Sequence, residues 1–347
     1  MKDNKIRVAV VGTGFGNLVH IPAYYMHDRF DLVGIYGRNQ EKTEQIANKY
    51  GIKTYKTKEE IAEDAEVDLI SIASIVSDHY QDVKMFLSNK KYVILEKPMA
   101  LTYEQTVELE MMSKKYGVKT AICHEHKYDS SWSFVKHLLD DDVYGKLRCV
   151  YFDYSFTYWN SEDSHRKFDW FSQKELGGGL VGGHLSHVLD LISYIDETGI
   201  YEMNGNGFIE VKYHYDNKDS LQKQTAEDTI NASVLTNQGT PIYINISAAR
   251  FEIFKKVTLF TENAKILIYG QNDICIWNKQ GKLIKKDIPS IYHIKEYGGD
   301  FRLNSFMKLL DDFYDKYIEG KKSFITDFSQ GCRIQKLIDQ IKVISKE

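Results

Sequence analysis

Along the first third of the chain, short unbroken apolar runs alternate with polar stretches in which apolar residues recur every three or four positions. The runs "IRVAVVG" (6–12), "DLVGIY" (31–36), "DLISIAS" (68–74), "YVILE" (92–96) and "KTAIC" (119–123) are of the β-branched kind buried on both faces of a parallel sheet. Between them lie helix-period segments such as "QEKTEQIANKYG", "SDHYQDVKMFLSNK" and "TYEQTVELEMMSKKYG". The last opens on Thr102 with Gln105 three residues on, a capping-box spacing, and closes on Gly117, suited to a left-handed helix end. Strand–helix alternation of this length predicts a doubly wound α/β domain over residues 1–123. After about residue 145 the period changes to two, in "KLRCVYFDYSFTYW" (146–159), "TINASVLT", "TPIYINISAARF", "KKVTLF", "AKILIYG" and "DICIW". That succession predicts a large, mostly antiparallel open sheet. Two helices are expected near 300–319 and 327–344, the second capped by Asp327 with Gln330 three residues on. Residues 124–347 thus read as one α+β domain.

A length of 347 residues agrees with two cores. With 43% hydrophobic and 27% charged residues, the chain has the make-up of a folded globular protein. A net charge of −4 and the lack of a Lys/Arg-rich run argue against nucleic acid as a partner. No stretch approaches the roughly 18 apolar residues of a membrane span. The start, "MKDNKIRVAVVGTG", enters a strand without an apolar signal region, so a cytoplasmic location is expected. Cys123, Cys149, Cys275 and Cys332 form no C-x-x-C pair and read as reduced thiols.

The first strand runs into "GTGFGN", residues 12–17. Gly12 permits a tight turn, and Gly14 lets a pyrophosphate approach the backbone at the N-terminus of the next helix. Thr13, Phe15, Gly16 and Asn17 complete the turn; the usual third glycine would fall at 17, and Gly16 comes one residue early. Directly after a buried strand, this turn reads as a Rossmann dinucleotide site. The second strand ends in Gly37 and Arg38, where an NAD site would place an acid for the ribose hydroxyls. A guanidinium there suits a 2′-phosphate or stacks on adenine, which tilts the expected cofactor from NAD toward NADP.

The run 92–96 delivers Glu96 and Lys97 to the carboxyl edge of the sheet, where doubly wound folds bind ligands. Pro98 restricts the backbone there and is compatible with a cis bond. A fixed ammonium beside a nicotinamide would stabilise the negative charge that grows on a substrate oxygen. Further on, "LGGGLVGGHLSHVLDLI" (176–192) is a glycine-rich turn entering a helix with His184, His187 and Asp190 at three-residue steps, on one face. A histidine there can take a hydroxyl proton. The spacing lacks the H-E-x-x-H pattern of a zinc helix, and no metal site is assigned. Of the aromatic residues before this turn, Tyr154, Phe156 and Tyr158 read as one face of a packed strand, whereas Trp159 and Trp170 are the candidates for stacking on a sugar.

Taken together, "GTGFGN", "VDLISIAS", His79 after "SD", "EKPMA" (96–100), "GGGLVGGHLSHVLD" and "EDT" (227–229) resemble the glucose–fructose oxidoreductase/inositol dehydrogenase/MocA (Gfo/Idh/MocA) family over essentially the whole chain. The resemblance implies a cofactor along the N-terminal sheet edge, a substrate between the domains, and a homodimer or homotetramer built on the open sheet. It implies that Lys97 is the family's lysine and His187 its acid–base histidine, with Glu96 and Pro98 near the nicotinamide. Ala73, Ser74 and His79 match positions lining the cofactor, and Lys127 and Tyr128 match a basic–aromatic pair preceding the second domain. Many members carry an aspartate four residues before the histidine; here that position is Gly183, followed by His184. The expected activity is NAD(P)-dependent oxidation or reduction of a secondary alcohol or ketone in a sugar, polyol or related small molecule. Two other readings stand beside it: a glycosidase-type enzyme that oxidises its substrate transiently with tightly bound NAD, and a nucleotide-binding regulator without turnover.

Overall fold

The computed structural model describes residues 5–344. They divide into two compact units: the chain up to Glu125 joined by Lys295–Gln335, and His126–Ile294 joined by the chain from Lys336 onward.

In the first unit the elements run β1 (Ile6–Val11), a π turn (Gly16–His20) leading into α1 (Ile21–Met26), β2 (Phe30–Tyr36), α2 (Gln40–Tyr50), β3 (Lys53–Thr54) and α3 (Lys58–Glu63). They continue through β4 (Leu69–Ile72), α4 (Val76–Ser88), β5 (Tyr92–Leu95), α5 (Tyr103–Tyr116) and β6 (Thr120–Ile122). The six strands form one sheet in the order β3-β2-β1-β4-β5-β6, all neighbours parallel. That is the doubly wound order, with its switch point between β1 and β4. Burial follows the sequence pattern: Ala9, Val11, Ile72, Val93 and Leu95 pack with Phe86 and Phe328 in one apolar cluster. Helix starts are capped as the sequence requires. Thr102 Oγ accepts from the Gln105 amide at 3.4 Å, and Gly117 ends the helix in the left-handed region at φ 64°.

The second unit begins with α6 (Ser130–Asp140) and β7 (Leu147–Ser155), then a second π turn (Val181–Leu185) that opens α7 (Ser186–Ile195). Nine further strands follow: β8 (Ile200–Phe208), β9 (Tyr213–Tyr215), β10 (Leu221–Lys223), β11 (Thr229–Thr236), β12 (Pro241–Ser247), β13 (Phe254–Thr261), β14 (Ala264–Tyr269), β15 (Asp273–Asn278) and β16 (Leu283–Lys285). The chain closes with α8 (Arg302–Tyr317), α9 (Phe328–Ile338) and β17 (Lys342–Ile344). The large sheet has nine strands in the order β16-β15-β14-β13-β7-β12-β11-β8-β17, parallel at β7–β12 and β8–β17 and antiparallel elsewhere. Along β7, Val150, Phe152 and Tyr154 are buried, and Trp132 of α6 stacks over Phe152 at 5.9 Å. The opposite face exposes Tyr151, Tyr243 and Phe260.

The structure differs from the expected division in two places. The first boundary falls at Glu125, close to the anticipated 123, but 295–335 belong to the first unit and not to a single 124–347 domain. They are fastened there by the Arg29–Asp315 ion pair at 2.7 Å, by the Ile122 amide donating to Thr326 O at 2.7 Å, and by Phe306 stacked on His20. The expected helix 327–344 ends at Ile338, and its tail becomes the edge strand β17.

Candidate active site

The carboxyl ends of β1, β4 and β5 lie side by side. Gly12 has φ 117°, and a Cβ there would overlap the Ala73 carbonyl oxygen, so no other residue fits this turn without a backbone shift. At Gly14, by contrast, a Cβ would meet nothing within 4 Å, which leaves the backbone open to a ligand at the start of the following helix. The early Gly16 coincides with the π turn, in which the Ile21 amide donates to Gly16 O; its Cβ would press on Val10 at 3.2 Å. Such turns recur at functional sites. At Gly37 a Cβ would overlap Thr13 and Thr43, which ties the adenosine-side loop to the glycine turn. Arg38 pairs with Asp78 and is otherwise exposed. Ser74 donates to Asp82 at 3.3 Å, and Asp82 in turn holds Lys58. His79 lies behind this edge, fully buried, its ring nitrogens 3.0 Å from Pro98 O and 3.2 Å from Ser74 O. It braces the two strand ends; a direct face toward a ligand is not what its burial offers.

Glu96 leaves β5 with its amide donating to Ile72 O at 2.9 Å, and the Lys97–Pro98 peptide is cis. The Glu96 carboxylate accepts from His20 Nε2 at 3.0 Å and from the Lys97 amide at 3.3 Å. Burial raises its pKa, but His20, Lys97 and His79 outweigh that and hold it below the usual carboxylate range. Burial lowers the pKa of Lys97 against the opposing pull of Glu96 and Glu125, with Arg302 adding to the lowering. Cys123 has its thiol pushed well up by burial and the neighbouring carboxylates, so it stays protonated. His20, Glu96 and Cys123 bring ligating atoms within 4.8 Å of one another, yet with a protonated thiol and the imidazole bonded to Glu96 they form a closed hydrogen-bonded cluster. Arg302 at the start of α8 lies 4.6 Å over the Phe15 ring and is held by Asp300 at 2.8 and 2.6 Å. Neither His20 nor Arg302 was anticipated. His20 carries a weak local signal, a histidine just after a glycine turn, but Arg302 reaches the site only through the fold.

In the second unit the three residues of the H-x-x-H-x-x-D series turn to different neighbours. His187 is buried and stacks on His126 with centroids 3.9 Å apart. His184 stacks on Phe156 at 4.3 Å and faces Tyr158 at 6.0 Å. Asp190 binds Lys127 at 3.1 Å, both side chains buried, and the Lys127 ammonium lies 5.8 Å over the Tyr128 ring. The Lys127 charge is thus matched by Asp190 inside the unit. The expectation for Trp159 is corrected, since it is wholly buried and stacked on Phe171 at 5.1 Å, where no ligand reaches its ring. Trp170 remains partly exposed.

Gly183 has a steric reason. A Cβ there would stand 2.7 Å from Phe171 Cζ, and Phe171 is locked between Trp159 and the Arg166 guanidinium at 4.7 Å. The aromatic ring occupies the room an aspartate would need. Overfilling a packed site costs about 1–3 kcal/mol, so Gly183→Asp is expected to lower the melting temperature by several degrees. Combined with Phe171→Ala it should cost less stability than the sum of the two single losses, measured by thermal denaturation of all three variants. Behind the same turn, Glu227 is buried and accepts from the Val181 amide at 2.7 Å, capping the entry to α7.

Residues 6–124 match a family described as an oxidoreductase family with an NAD-binding Rossmann fold, and residues 132–267 match the GFO/IDH/MocA C-terminal domain. An uncharacterised oxidoreductase of Synechocystis sp. is 27% identical, spanning all of this chain and 95% of that protein. Glucose-6-phosphate 3-dehydrogenase of Bacillus subtilis is 23% identical over 71% of this chain and 68% of its own length. Among solved structures, levoglucosan dehydrogenase in complex with NADH and L-sorbose aligns with a TM-score of 0.87 and 15% identity, covering 97% of this chain and 96% of that one. That likeness is one of fold.

Proposed function

The chain belongs to the Gfo/Idh/MocA family of NAD-binding oxidoreductases, and from that premise we propose that it moves hydride between a nicotinamide cofactor and a secondary alcohol or ketone of a sugar or polyol. The observation that carries this reading is the half-buried side chain of Lys97 at the rim of the sheet that also holds the open Gly14 turn. Residues 12–17 would hold the pyrophosphate, Gly37 and Arg38 the adenosine end, and Ala73, Ser74, Glu96 and Pro98 the nicotinamide side. Bound NAD or NADP supplies the hydride acceptor. Lys97 donates a hydrogen bond to the substrate oxygen and stabilises it as it turns anionic. His187 takes the hydroxyl proton. His184 and Tyr158, both half-buried, offer an aromatic surface for the apolar face of a sugar ring. Relatives named for D-xylose, glucose 6-phosphate and levoglucosan support a carbohydrate-like substrate. The uncovered sheet face, with Tyr151 stacked on Tyr243 at 4.9 Å, favours a homo-oligomer.

Purified protein incubated with a panel of sugars and polyols is expected to reduce NAD or NADP, followed by nicotinamide absorbance. No reduction with any substrate counts against the reading; release of an aglycone without net reduction points to transient oxidation instead. In a thermal-shift comparison NADP is expected to stabilise more than NAD, and Arg38→Ala to erase the difference. An equal shift with both cofactors in the unaltered protein removes Arg38 from cofactor choice.

A further inference from the structure

We propose that His20 is a positioning residue for the redox centre, the middle of a buried relay Tyr24–Ser71–His20–Glu96 that orients the carboxylate next to Lys97 in the chain. The inference deepens the redox reading, on which its kinetic arm rests.

His20 is wholly buried, and every side of its ring is engaged. Phe306 of α8 stacks on one face at 4.4 Å, and Phe15 of the glycine turn meets it edge-on at 5.5 Å. Nδ1 lies 2.7 Å from Ser71 Oγ and Nε2 lies 3.0 Å from Glu96 Oε1. Tyr24 donates its hydroxyl to Ser71 Oγ at 3.1 Å. One direction carries through all of these contacts. Ser71 receives the Tyr24 proton and so gives its own to Nδ1, which leaves Nε2–H to donate to Glu96. The Nε2–H that faces Glu96 is thus held in place from the far end of the chain. A buried core histidine requires satisfied nitrogens only; this one is clamped by two aromatic rings and aimed at the residue before the lysine. Four elements supply the parts: the π turn with α1, β4, the end of β5, and α8.

The charged and titratable groups around the pair are Lys97, His79, Cys123, Glu125 and Arg302. Of these, Lys97 and Arg302 are cations, while Glu96 and Glu125 are the acids that face them. Removing the Nε2–H donor leaves a buried carboxylate with less support for its charge, so its pKa rises and Lys97 loses a counter-ion at neutral pH. The lysine then gives up its proton at lower pH.

The test uses His20→Phe, Ser71→Ala and Tyr24→Phe in the full chain. Lys97 is titrated in each by pH-dependent acylation with acetic anhydride, quantified by peptide mass spectrometry, which needs no substrate. The acylation midpoint is expected to fall by about one pH unit in His20→Phe and by less in Ser71→Ala, with Tyr24→Phe smallest. Where turnover is measurable, kcat should fall about tenfold in His20→Phe, and its alkaline limb should move to lower pH. The cofactor-induced thermal shift should remain. Loss of thermal stability with an unmoved midpoint and pH profile overturns the proposal, because a merely structural ring would behave so. If His20→Phe fails to fold, a flat response across Ser71→Ala and Tyr24→Phe also overturns it. A shifted midpoint in a protein that oxidises no substrate supports the relay and sinks the redox reading instead.

Discussion

Replacing Lys97 by methionine is expected to lower kcat by about 10²–10³-fold while the protein still gains thermal stability from NAD or NADP. That size is what loss of one preorganised donor to a developing oxyanion costs in other enzymes. Methionine keeps much of the side-chain volume, so the packing around β5 should survive and the loss reports on charge. The amine sits where burial lowers its pKa, with Glu96 and Glu125 opposing that shift. Arginine should not restore turnover, because its planar fork cannot replace a compact point charge. Steady-state kinetics on the best substrate from the sugar panel decide the matter. Full turnover by Lys97→Met would remove the lysine from the chemistry.

The second large effect concerns stability. Burial lifts the carboxyl of Glu227 from 4.5 to about 7 and that of Asp228 from 3.8 to about 6, against the hydrogen bonds each accepts from backbone amides. A carboxyl with a raised folded-state pKa keeps its proton in the native protein at pH values where the unfolded chain has already lost it. For Glu227 that window runs from about pH 4.5 to 7, so its contribution is fully present below the window and is lost as pH rises through it. At about 1.4 kcal/mol per unit, the term for Glu227 is on the order of 3 kcal/mol at pH 8. Glutamine retains an oxygen for the Val181 amide but has nothing to ionise. Glu227→Gln should therefore flatten the decline in stability between pH 5 and 8 and stand above the unaltered protein at pH 8, with Asp228 responsible for the slope that remains. Urea denaturation at several pH values measures this directly. An unchanged slope would mean that Glu227 is ionised throughout, with its charge compensated inside the fold.

Much of the molecule was written locally. Buried parallel strands need β-branched runs, and five of them stood in the sequence within a residue or two of β1, β2, β4, β5 and β6. The turn at Gly12, the capping at Thr102, the left-handed Gly117 and the placement of Lys97 at a strand end all follow from constraints acting over a few residues. β8, with its sequence "IYEMNGNGF", carries no such signal. Its glycines are there because the neighbouring strand comes too close for side chains: a Cβ on Gly205 would lie 2.7 Å from the Ala232 Cβ. The return of 295–335 to the first unit was equally invisible, since an amphipathic helix states that one face is apolar and not which surface covers it. Trp159 was misjudged for a related reason. An aromatic in an irregular segment looks available until Phe171 is folded onto it. By itself the sequence determined the parallel sheet, the ligand-binding edge and the cation placed there, because short-range sterics and periodicity decide those. The tertiary structure alone decided that His20 stands against Glu96, that Arg302 acts on Lys97 and that Phe171 fills the space over Gly183, because local pattern does not say which distant surfaces meet and only packing brings them together.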